Sequence, residues 1–149
     1  LAIGPIEELA KLLPFVAVVI RFRKFDEPLD GFVYASFIAL GYAAVENLQY
    51  LDYLTVTEAA ARCFASPVVH IVFASVWAYP ITGAKLAGKP LVGKVIQGFV
   101  LCAILHGVYD FLVIQEPVSA LPVATAIILA LWIWRLRLIR GMQQLSQTR

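Results

Sequence analysis

Cysteine is scarce in this chain. Cys63 and Cys102 are the two in 149 residues, and they form no CxxC pair. That excludes a disulfide framework and a thiolate metal knuckle, and both thiols are expected to be small buried side chains. Histidine is equally rare, with only His70 and His106. No HExxH string and no Gly-x-Ser-x-Gly elbow occurs, which argues against a standard zincin or a serine hydrolase. Charged residues make up 15% of the chain and the net charge is +2. No basic footprint for nucleic acid is present. A removable signal peptide is not evident, because Glu7, Glu8 and Lys11 stand where an apolar stretch would be needed. Repeats, low-complexity tracts and a second domain are also missing, so residues 1–149 read as one membrane-embedded domain. The first residue is Leu1 rather than Met, so a piece of a longer chain is expected, with room for helices before residue 1.

What is abundant is apolar sequence. Hydrophobic residues reach 61%, against about 45–50% in soluble domains, and the mean hydropathy is +0.82. The excess is arranged in long runs, the signature of a polytopic membrane protein. Five candidate segments are expected at about 3–20, 30–52, 63–84, 94–114 and 118–135, the first being charged early and interrupted by Pro14. Backbone groups in lipid must be bonded internally, so the expected fold is an all-α transmembrane bundle. The connectors are RFRKFDEP, DYLTVTEAAAR, KLAGKPLVGK and QEPVS. Ten of the twelve Lys and Arg residues alternate to one side: Arg21, Arg23, Lys24, Lys85, Lys89, Lys94, Arg135, Arg137, Arg140 and Arg149. By the positive-inside rule that side is cytoplasmic. Tyr50, Tyr53, Trp132 and Trp134 read as interface anchors.

The remaining ionisable residues collect at the other side. Glu7 and Glu8 open the first segment, Glu46 lies near the end of the second, His70 is early in the third, and His106 and Asp110 are late in the fourth. At about 1.5 Å per residue, all fall within roughly 7–14 Å of the same surface. Each buried charge costs about 2.5–3.5 kcal/mol on insertion scales. Four helices accept that cost at one depth, which points to a shared wet cavity on the extracytoplasmic side.

Helical spacing adds detail. Lys11 is i+4 from Glu7 and i+3 from Glu8, so it can hold one carboxylate and leave the other free. Tyr42, Glu46, Gln49 and Tyr50 form one stripe. Arg62, Ser66 and His70 form another, and Gly98, Cys102, His106 and Asp110 a third, where small residues favour close helix approach. A carboxylate beside a water is a general base. Two histidines and a carboxylate are also the usual ligands of a catalytic zinc. Structural readings stand beside these. Glu7, Glu8 and Lys11 could form an interfacial turn, Glu46 could pair with Arg62, His70 could be a packing histidine, and His106 with Asp110 a local pair. A proton- or cation-coupled transporter and a non-catalytic scaffold are the alternatives to an enzyme.

The motifs EELAK (7–11), GYAAVENLQY (41–50), Arg62 through Pro67 to His70, and HGVYD (106–110) resemble, in order, the four motifs of the PrsW family of intramembrane proteases. That family is distantly related to the CAAX-prenyl-protease and bacteriocin-immunity group. The resemblance implies a multi-pass peptidase of the bacterial inner membrane. It implies Glu7 or Glu8 as catalytic base, with Glu46, His70, His106 and Asp110 completing the site. Zinc, if used, would be held by Glu46, His70 and His106; a metal-free glutamic mechanism is the other option. Glu46 stands where CAAX proteases carry His, which speaks against prenyl substrates. The implied partners are the lipid bilayer and a single-pass substrate, in some members an anti-sigma factor cut at site 1.

Overall fold

The computed structural model describes residues 3–115 and 119–147. Every regular element among them is helical: α1 Ile3–Ala17, α2 Pro28–Tyr50, α3 Val56–Leu86, α4 Val92–Gln115 and α5 Leu121–Gln147, with short 3-10 turns at Val19–Arg21 and Leu51–Tyr53. Glu116, Pro117 and Val118 of the last expected connector, and Arg149, lie outside the described residues.

Local chemistry sets the boundaries. Pro28 at the first position of α2 follows Glu27, which shares a reciprocal capping box with Asp30. Thr55 and Glu58 form the same arrangement before α3. Such boxes satisfy orphan backbone donors at a helix start. This cap begins α3 seven residues before the expected 63, because Thr55 feeds directly into the helix-favouring run Glu58–Ala61. Arg62 therefore sits inside a helix rather than in a connector. Gly88, at φ 63°, ends α3 in the left-handed conformation. α5 runs twelve residues past its expected end at 135, since nothing in Leu136–Gln147 breaks a helix except a tolerated Gly141.

Four helices, α2 to α5, are long and apolar enough to cross a membrane. Among the described residues α1 has 15 residues, and it packs against α2, α3 and α4.

α3 is the central element, and α5 is peripheral. The core is built from Phe15, Phe73, Trp77, Ile81 and Cys102. Gly31, Ala35, Ala39 and Ala43, four apart on α2, are all buried, which lets α2 and α3 approach closely. Gly98 of α4 does the same against α3: an added Cβ would lie 2.8 Å from Trp77 Cα. Outside the core the surface is apolar, with Phe37, Leu48 and Phe64 exposed, as a lipid-facing surface requires. Cys102 is buried as expected and contacts the Phe73 carbonyl through Sγ at 3.1 Å. Cys63 is exposed instead, because the early start of α3 turns it away from the Arg62–Ser66–His70 face. Tyr53 is exposed, but Trp134 packs edge-on against Tyr79 and so belongs partly to the bundle.

Gly98→Leu should therefore wedge α4 off α3. The expected cost is about 1–3 kcal/mol, read as a lowered unfolding midpoint in detergent. Gly93→Leu, where a Cβ meets nothing within 4 Å, should leave the midpoint unchanged.

Candidate active site

Four helices bring the ionisable residues together. α1 supplies Glu7, Glu8 and Lys11, α2 supplies Glu46, α3 supplies Arg62, Ser66 and His70, and α4 supplies His106 and Asp110. Gly4 permits the α1–α4 contact, since a Cβ there would come within 2.8 Å of Gly107 N and 3.0 Å of Asp110 Oδ2.

Glu8 is the fully enclosed centre. Its Oε1 accepts from Lys11 Nζ at 2.5 Å and faces His106 Nδ1 at 2.8 Å; its Oε2 accepts from Trp77 Nε1 at 2.8 Å. Lys11 also donates to His70 Nδ1 at 2.9 Å and lies 5.0 Å from the Tyr42 ring centroid. These partners fix the tautomers. An ammonium can only donate, so the His70 proton sits on Nε2, which donates to Glu46 Oε2 at 2.8 Å. His106 Nδ1 donates to Glu8, and the ring stacks on Phe73 at 4.3 Å. Its Nε2 is left toward Glu7 and Asp110.

Glu46 is anchored on both oxygens. Arg62 Nη2 lies 2.7 Å from Oε1, and Ser66 Oγ donates to Oε2 at 3.3 Å. Arg62 in turn covers the Tyr50 ring at 3.9 Å. The Arg62–Ser66–His70 stripe thus meets one carboxylate. Of the α2 stripe, Gln49 faces outward.

Glu7 differs from Glu8. Its Oε2 lies 3.7 Å from His106 Nε2 and 3.9 Å from His70 Nδ1, beyond direct hydrogen bonding and suited to a bridging water or ion. Glu7, Glu46, His70, His106 and Asp110 all line one cavity of about 410 Å³, whose other walls include Ile3, Ala61, Ala65 and Val113. Glu8 is not among its lining residues. Asp110 Oδ1 is 3.4 Å from His106 Nε2, and the buried Oδ2 has no hydrogen-bond partner.

The convergence extends to possible metal ligands. Glu7, His70 and His106 each offer one ligand atom, all within 4.8 Å of one another. The expected trio named Glu46 instead of Glu7. In the structure the Glu46 carboxylate is spent on Arg62, Ser66 and the far side of His70, so it backs the ligand set rather than completing it. A carboxylate behind a ligating histidine is the usual outer-shell arrangement. Glu8 stands in the same relation to His106. The donor set of two imidazoles and one carboxylate therefore fits a zinc ion, with the Lys11 contact on His70 Nδ1 as the one competitor for a ligand nitrogen.

The PrsW family intramembrane metalloproteases match residues 1–135, a stretch that contains every one of these side chains. The chain belongs to the PrsW family. Among curated relatives, Protease PrsW of Clostridioides difficile is 30% identical over 135 residues, covering 87% of this chain and 57% of the relative. Protease PrsW of Geobacillus kaustophilus is 34% identical over 111 residues, covering 74% and 49%. The Bacillus subtilis protein of the same name is 31% identical over 113 residues, covering 75% and 52%. The chain thus spans about half the length of the curated PrsW proteins it matches. No solved structure matches it.

Three residues of this PrsW site escaped the sequence reading. Trp77 is the indole donor to Glu8; it lies seven residues, two turns, after His70, so helical spacing carried a signal. Phe73 and Gly4 act through packing, which spacing alone does not reveal. Removing Glu8 while Lys11 remains leaves a buried cation without its counter-ion. Glu8→Ala is expected to cost about 3–5 kcal/mol. In a double-mutant cycle with Lys11→Met, measured by unfolding in detergent, the combined loss should be well below the sum of the single losses.

Proposed function

We propose that this chain forms the hydrolytic core of a membrane peptidase. It would cleave a peptide bond of a single-pass membrane protein within the bilayer, near the extracytoplasmic face of a bacterial inner membrane. The observation that carries the reading is the trio of Glu7, His70 and His106 at the wall of a cavity, with each imidazole held from behind by its own carboxylate. Family membership supports peptide-bond hydrolysis, and the distribution of Lys and Arg supports the extracytoplasmic side.

In this reading Glu8 is a positioning residue. It holds His106 by Nδ1 and aims Nε2 at the reacting centre, while Glu46 holds His70 in the same way. Glu7 faces the attacking water. Glu7, His70 and His106 would hold a zinc ion, which when bound supplies Lewis acidity and a water acidic enough to ionise near neutral pH. Glu7 Oε2 takes the water proton in a metal-free site; with Glu7 engaged as ligand, Asp110, which lines the same cavity, is the remaining acceptor. The hydroxide adds to the scissile carbonyl, and the proton then passes to the departing amine nitrogen. Lys11, in contact with His70 Nδ1, supplies positive potential for the oxyanion. The apolar walls at Ile3, Ala61, Ala65 and Val113 suit the side chains of a membrane-embedded substrate. Anti-sigma-factor-like single-pass proteins are the substrate class that the family resemblance supplies.

The test is cleavage of reporter-tagged single-pass substrates by purified protein in detergent or liposomes. Glu7→Gln and His106→Ala should each lose at least about a hundredfold in rate, the lower range for a general acid–base group. Full activity in both would overturn the assignment. Metal analysis of the same preparations separates the two chemistries. Stoichiometric zinc lost in His70→Ala supports the metal form, and a fully active metal-free protein supports Glu7 as base.

A further inference from the structure

A second polar feature lies away from the cavity. A groove of about 360 Å³ runs between α2 and α5, from Leu29 and Gln143 at the helix ends inward to Ser36 and Arg135. Arg135 is 8% exposed, although its place after the last hydrophobic run reads as a loop cation. Its Nη1 donates to Ser75 Oγ and to the Ile71 carbonyl at 3.5 Å, and its Nη2 donates to Ser36 Oγ at 2.8 Å. The Phe32 ring lies 5.2 Å away. All of these partners are neutral, and no carboxylate among the described residues pairs with it.

A guanidinium has five N–H donors, three are used, and Arg135 lines the groove. Hydroxyls and a carbonyl solvate the cation without neutralising it. A charge inside a membrane bundle is retained where it meets a partner or performs a function. The complement of a buried guanidinium is a phosphate, which it binds with two parallel N–H bonds. The walls at Val33, Leu40 and Ile139 are apolar, and Val33 and Leu40 are exposed, so the groove is open sideways to lipid. Ser36 is the ninth residue of α2, about 12 Å from that helix's start. Arg137 and Arg140 are exposed farther along α5. We propose that this groove binds one anionic phospholipid, its phosphate on Arg135 and an acyl chain along the α2 wall.

The experiment uses the full chain in detergent, incubated with equal amounts of phosphatidylglycerol and phosphatidylcholine of the same acyl composition. Native mass spectrometry then counts retained lipids. The expected result is one retained phosphatidylglycerol, favoured about fivefold over phosphatidylcholine, the scale of one Arg near an anionic headgroup. Arg135→Gln should abolish the preference. Val33→Trp narrows the groove at an exposed position without touching Arg135, and it should abolish the preference too, so the test survives if Arg135→Gln does not fold. Equal retention of the two lipids overturns the proposal, as does an unchanged preference in Val33→Trp. Thermal protection by inorganic phosphate equal to that by phosphatidylglycerol would assign the groove to the free anion and overturn the lipid identity.

Discussion

The arrangement of this protein depends on one buried carboxylate. Glu8 accepts from an ammonium, an indole and an imidazole that come from α1, α3 and α4. An unpaired charge at that depth would be costly, so each donor is required where it stands. The consequence is mechanical as much as electrostatic. α1 is fixed against α2, α3 and α4 at a defined rotation. That rotation turns Glu7, the next residue, away from the packed core and toward the cavity. Two adjacent glutamates thus acquire opposite environments from a single helix orientation.

The same logic organises the second carboxylate. Glu46 is held by Arg62 and Ser66 and in turn holds His70, so a structural ion pair and a site residue are one object. The structural reading of Glu46 with Arg62 and the functional reading of His70 do not compete. At one-turn spacing on α3, Arg62, Ser66 and His70 meet the same acceptor from successive levels.

Much of this was legible in the sequence because membrane energetics are severe. Apolar runs of spanning length give the helices, and ionisable residues inside them are few enough to be read as a set. Helical spacing recovered the Lys11–Glu8 pair and the α3 stripe. What it missed depends on three-dimensional approach. Spacing along one helix does not tell how far α1 rotates toward α4, so it could not tell that Glu7 rather than Glu8 lines the cavity and stands beside the two histidines. Hydropathy averaged over a window could not show that α5 continues past Arg135 and buries it between Ser36 and Ser75. The early start of α3 was written in the Thr55–Glu58 box, a local signal outweighed by the polar look of that stretch.

The bond between Glu8 and His106 joins residues 98 positions apart. Until the ribosome has made and inserted α4, the first helix has no imidazole to receive its carboxylate, and His70 has no counterpart across the cavity. A nascent chain halted at any earlier point carries half a site. Whatever chemistry the finished cluster performs is thereby withheld until α4 is in place.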